Sequence, residues 1–216
     1  MSMLFSFLLL VIFIACVALL FTEGMWSNAI RLINTITSAL LAINFFEPVA
    51  AWLDGFQPSY TYFWDFIAIW MVFIVSMVLL SIATNSVSKV KVKFLGIVDR
   101  VGGTIFAMWI GWVVVCFAAV TFHTAPLARN FLGGGFQPEQ RMLFGLAPDR
   151  QWLGFSQQMS LGTFSRSATP DESKTEKYVF DPRAEFMPKY ATRRANLEKH
   201  MATTGGLSLR PGQQPH

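Results

Sequence analysis

Residues 3–22, MLFSFLLLVIFIACVALLFT, run for twenty positions without a charged side chain. As a helix rising 1.5 Å per residue, such a run is about 30 Å long, the thickness of a bilayer's hydrocarbon core. Lipid offers a backbone no hydrogen-bond partner, so the run is read as a membrane-spanning helix. A cleaved signal peptide fits less well, because no Lys or Arg precedes the run and no small-x-small site follows it. Two further runs are as plain: residues 63–84 carry only Asp65 near their start, and residues 101–122 carry no charge. Cys16 and Cys116 each lie inside such a run, so the cysteines form neither a disulfide framework nor a metal-ligand spacing.

Segment 29–46, AIRLINTITSALLAINFF, is more dilute, since Arg31, Asn34, Thr35, Thr37, Ser38 and Asn44 interrupt it. A central Arg costs about 2.5–3.5 kcal/mol on insertion scales, but Arg31 is two residues from the segment's start and can snorkel to the headgroups. The segment is therefore expected to cross as a fourth span with protein neighbours. Arg31, Asn34, Ser38 and Ala42 recur at three- and four-residue steps, which makes a polar-to-small stripe facing the bundle. Ile33, Ile36, Leu40 and Ile43 are expected to face lipid. Pro48 is expected to end this helix near Glu47.

The fold class that follows is all-α: a multi-pass membrane helix bundle of four transmembrane helices, spans 3–22, 29–46, 63–84 and 101–122, with a largely flexible C-terminal tail. Composition agrees, with 53% hydrophobic and 14% charged residues and a mean hydropathy of +0.45. The net charge of +4 belongs to the tail: residues 1–122 hold five basic and five acidic side chains, residues 123–216 twelve and eight. That tail, 123–216, is rich in Pro, Gly, Ser, Thr and charge and reads as an extramembrane, basic, mostly disordered segment. Short helices are expected after Pro148, where Trp152, Leu153, Phe155 and Met159 gather on one side, and after Pro188.

Loop charges set the orientation. Connection 85–100 carries Lys89, Lys91, Lys93 and Arg100 against Asp99, and connection 47–62 carries Glu47 and Asp54 with no basic residue. The positive-inside rule puts the first in the cytoplasm and the second outside, with both termini outside. Trp52, Tyr60, Tyr62 and Trp64 then form an outer aromatic belt. Lys89, Lys91 and Lys93, alternating with Val90 and Val92, are read as snorkelling toward anionic headgroups. They are too few to bind nucleic acid without a recognition fold.

Gly103, Ala107 and Gly111 stand at i, i+4 and i+8 and make one ridge of minimal side chains. In lipid, close backbone approach along such a ridge is a main source of packing energy. Its partner is expected to be the Ser38/Ala42 stripe or the same helix in a second copy. Asp99 directly precedes the span and is read as its N-cap; Asp65 is read likewise for the third span. Arg100 belongs at the cytoplasmic headgroups. No HExxH, CxxC, GxSxG or phosphate-loop pattern occurs, so neither catalysis, nor a cofactor, nor a metal site is expected.

Taken together, Lys93-Phe94-Leu95-Gly96-Ile97-Val98-Asp99-Arg100-Val101-Gly102-Gly103-Thr104-Ile105-Phe106-Ala107, followed by Gly111, resembles the last-span region of the colicin V production protein family. The likeness runs colinearly over residues 1–122: an N-terminal span, a glycine turn at Gly24, a polar second helix, an outer loop and a third span. Glu23 and Ser27 stand where the family usually has basic residues, and Ala107 and Ile110 replace a glycine and a basic residue. The resemblance implies a bacterial inner-membrane protein required for producing or exporting a peptide toxin. The expected function is a non-enzymatic membrane component supporting secretion or envelope processes through contacts with lipids, with other membrane proteins or with its own copies, the ridge serving as the assembly surface. The alternative is a small oligomeric transporter or channel lined by Arg31, Asn34, Ser38 and Asn44.

Overall fold

The structure is a computed structural model and describes residues 3–87, 95–127, 141–162, 164–165 and 179–204, with side chains described to residue 199. Among the described residues, six α-helices follow in order: α1 (Met3–Leu20), α2 (Met25–Phe56), α3 (Thr61–Val87), α4 (Gly96–Thr124), α5 (Pro148–Ser160) and α6 (Phe186–Thr204). The first four are long and apolar enough to cross a bilayer, so the chain is a multi-pass membrane helix bundle. Lys89, Lys91 and Lys93 lie outside the described residues.

The spans differ in what covers them. In α2 and α4 just over half of the most apolar window is buried by protein, whereas α1 and α3 are covered far less. Helix α2 packs on α3 and α4, and α1 packs on α4. Enclosure of α2 on two sides overturns the expected lipid face. Only Ile33 is well exposed, whereas Leu40 and Ile43 belong to the core with Phe46, Ile69 and Phe117.

Helix α2 also runs past both expected ends. Its 32 residues span about 48 Å. Pro48 does not stop it, although its ring removes the N–H that the Asn44 carbonyl would otherwise accept from. Phe46 and Ala50, buried on either side of the proline, hold the chain in register and offset that loss. Helix α2 is thus longer than a hydrocarbon layer is thick, and its last turns lie at the end of the bundle where α3 begins and α4 finishes.

Two helices from the C-terminal region cover that end. Pro148 opens α5 at its first turn, as the sequence indicates, and Trp152 is buried edge-on against Phe117, with ring centroids 6.2 Å apart. Helix α6 begins two residues before Pro188. The backbone N–H groups of Glu185, just before it, and of Phe186, its first residue, donate to the Asp181 carboxylate at 2.7 and 3.1 Å. Burial pushes the Asp181 carboxyl above its usual range despite these bonds.

Asp65 does not cap α3, because that helix already starts at Thr61. Its carboxylate reaches α6 instead, accepting from the Tyr190 hydroxyl at 2.8 Å and from the Arg193 guanidinium. Burial, and then the Asp65 charge, raise the Tyr190 phenol, which therefore stays a protonated donor. Tyr62, expected in the outer belt, is buried under the Arg193 guanidinium, 5.2 Å from its ring centre, while Trp52 and Tyr60 remain exposed.

Candidate functional site

Among the described residues, three polar constellations interrupt the apolar bundle. The first joins the α1–α2 turn to the start of α4. Glu23, Gly24 and Met25 lie across Gly102 and Gly103, whose missing side chains leave the groove in which the turn sits. A Cβ at 103 would stand 2.5 Å from the Glu23 carbonyl oxygen. Asp99 then closes the contact: its Oδ1 accepts the backbone N–H of Met25 at 2.8 Å. Asn28, fully buried, donates from Nδ2 both to the Leu20 carbonyl and to the Gly103 carbonyl, each at 2.9 Å. Gly24 has φ −69° and ψ 160°, a backbone open to any residue, so space explains its glycine. A Cβ there would lie 3.0 Å from Asp99 Oδ2.

This geometry corrects the N-cap assigned to Asp99. Helix α4 starts at Gly96 behind Leu95, which leaves Asp99 inside its first turn, and the carboxylate caps α2 rather than its own helix. The charge suits the positive end of either helix. Arg100, beside it, is exposed at the same end. Asp99→Ala is expected to cost about 1–2 kcal/mol, the usual effect of losing an N-cap acceptor, and Asp99→Asn to recover most of it. Thermal unfolding of the two variants in detergent measures the difference.

The ridge continues upward from this clasp. Gly111 faces Phe13 and Val17 of α1, with a Cβ at 111 falling 3.1 Å from the Phe13 ring, and Ala107 between them is fully buried. The ridge thus packs on α1 and the α1–α2 turn of its own chain.

The second constellation is a polar cavity of about 320 Å³ at the same end, between the start of α2 and the end of α3. Arg31 and Glu23 stand on its rim 3.7 Å apart, each side chain more than one-third exposed. Deeper, Asn34 donates to Thr84 Oγ1 at 3.0 Å. The stripe closes beyond that point. Ser38 is fully buried with its hydroxyl 3.8 Å from Met77 Sδ, and Asn44 is buried with Nδ2 turned back to the Leu40 carbonyl.

The third lies at the opposite end, where α5 and α6 meet α4. His123 Nε2 and Asp149 Oδ2 are 3.2 Å apart and both side chains are buried, at 2% and 0% exposure. Arg194 of α6 donates to the His123 backbone carbonyl at 2.9 Å. Among the described residues, no group of three or more His, Cys, Asp or Glu side chains is placed to hold a metal ion.

Residues 5–136 match the model of the colicin V production protein family. The chain belongs to that family. The matched stretch contains the Asp99 clasp, the ridge and the polar cavity, whereas α5 and α6 lie beyond it. No curated protein and no solved structure matches the chain.

Sequence reasoning located Asp99, Gly103, Ala107, Gly111, Arg31 and Asn34 but not their partners, and it passed over Asn28, Thr84, Asp149, Tyr190 and Arg193. One signal was available for Asn28: an amide three residues into α2, where the chain has just turned and polar backbone groups need donors. Asp149 offered a comparable hint, as an acid in the first turn of a helix opened by Pro148.

Proposed function

We propose that this colicin V production family member is a non-enzymatic component of the bacterial inner membrane. In this reading it supports production or secretion of a peptide toxin, or a related envelope process, by contact with other membrane proteins. The observation that supports this is the use of the family-matched stretch: its glycines, Asp99 and Asn28 are spent on fixing helices to one another. That is the chemistry of a scaffold. Because the Gly103/Ala107/Gly111 ridge is already packed against α1 and the α1–α2 turn, the surfaces left for partners are the outward faces of α1 and α3 and the exposed Val101, Ile105, Met108 and Trp109 face of α4.

Transport along the polar stripe has less behind it, since Ser38 and Asn44 are buried and bonded within the bundle. The two readings separate in one experiment. A host strain lacking the chain is complemented with the full sequence, and secretion of a peptide toxin is measured beside solute flux in proteoliposomes of the purified protein. Restored secretion without flux is the expected result. Flux that disappears in Arg31→Gln would overturn the scaffold reading in favour of transport.

A further inference from the structure

The cavity between α2 and α3 carries a charged rim, Arg31 and Glu23, over a polar wall, and that rim points to a ligand. Arg31 stands six residues into α2, and Ser81, Thr84 and Asn85 stand in the last two turns of α3, so the cavity lies at the edge of the hydrocarbon layer. At about 320 Å³ it is large enough for a headgroup-sized ligand. Trp26, one-third exposed, lines it with the amphipathic ring suited to that depth. On the rim, Arg31 and Glu23 are 3.7 Å apart, beyond hydrogen-bond length and open to the surroundings. An exposed pair so loosely made holds little energy of its own. A ligand carrying both charges can take its place and leave neither side chain unmatched.

We propose that this cavity binds a zwitterion in which a phosphate bears a primary ammonium, the chemistry of an ethanolamine phospholipid headgroup. The planar guanidinium of Arg31 takes the phosphate oxygens through paired N–H donors, and the Glu23 carboxylate accepts from the ammonium. Ser81 and Asn85 add neutral hydrogen-bonding groups to the wall. A headgroup that is only anionic meets Glu23 as a like charge. A choline headgroup offers Glu23 no N–H. The inference is independent of any role in secretion.

The test uses the purified full-length chain in detergent, with thermal unfolding and lipid retention measured against phosphatidylethanolamine, phosphatidylglycerol, phosphatidylcholine and soluble O-phosphoethanolamine. Phosphatidylethanolamine is expected to bind roughly tenfold tighter than phosphatidylglycerol, the difference one well-made charged contact gives. Glu23→Gln should abolish that preference, and Arg31→Gln should weaken both lipids. The ligand-free unfolding midpoint of each variant shows that it folds. Protection by the lipid alone, or by lipid and soluble compound together, supports the site with a bilayer source; protection by the soluble compound alone supports it with a free zwitterion. Equal or tighter binding of phosphatidylglycerol, or an undiminished preference in Glu23→Gln, overturns it.

Discussion

Gly103→Ala is expected to unfold the end of the bundle that holds the α1–α2 turn, while the same change at Gly102 or Gly111 is tolerated far better. At 103 the new methyl would meet a backbone oxygen, that of Glu23, at 2.5 Å, and a carbonyl cannot swing aside as a side chain can. The α1–α2 turn must lift, and with it go the Met25 N–H bond to Asp99 and the Asn28 bond to the Gly103 carbonyl. Overpacking of this kind costs about 1–3 kcal/mol and each lost buried hydrogen bond about 1 kcal/mol more, so the total is about 3 kcal/mol or above. At 102 the obstacle is the Met25 thioether, an unbranched side chain that can move. At 111 the Phe13 ring edge and Val17 must yield only a few tenths of an ångström, a loss of about 1 kcal/mol. Unfolding midpoints of the three alanine variants in one detergent should rank Gly103→Ala well below the others. Equal midpoints would mean that the turn is not seated on Gly103.

The second large effect is expected at the other end. Asp149→Leu removes the buried partner of His123, and breaking a buried ionisable pair from one side typically costs about 3–5 kcal/mol. Helix α5 should then loosen from α4, undoing the contact of Trp152 with Phe117. Replacing both residues, as His123→Phe with Asp149→Leu, removes the stranded polar group and should recover much of the loss. Limited proteolysis reads this directly: cleavage within 148–160 should rise sharply in the single variant and fall back in the double one. A single variant as resistant as the parent chain would show that the pair does not hold α5 in place.

What the sequence made legible, and what it hid, follows from the range of each interaction. Uncharged runs announce their own environment, so α1, α3 and α4 could be placed from composition alone. Helix α2 was legible as a span but not in its extent or facing. Its ends carry ordinary polar residues, and its passage through Pro48 depends on the burial of Phe46 and Ala50 by distant helices. Asp99 was visible as a capping group, yet the amide it caps lies 74 positions away, and spacing arguments see only the adjacent helix. The same limit applied to Asp65, whose partners are 125 and 128 positions further on. The small-residue ridge was recognisable by its four-residue period. What fills it was not, because Phe13 and Val17 look like any lipid-facing apolar pair in α1.

The turn between the first two spans is clasped by the start of the fourth within one chain. A disulfide trap tests this most directly, since a Cβ at 102 lies 3.3 Å from the Met25 Cβ, close to the span a disulfide bridges. Met25→Cys and Gly102→Cys are combined in a chain carrying Cys16→Ala and Cys116→Ala, and membranes are oxidised mildly before electrophoresis. The clasp predicts an intramolecular bond that forms readily and leaves the chain monomeric. Covalent dimers through position 102, or no crosslink between 25 and 102, would contradict it.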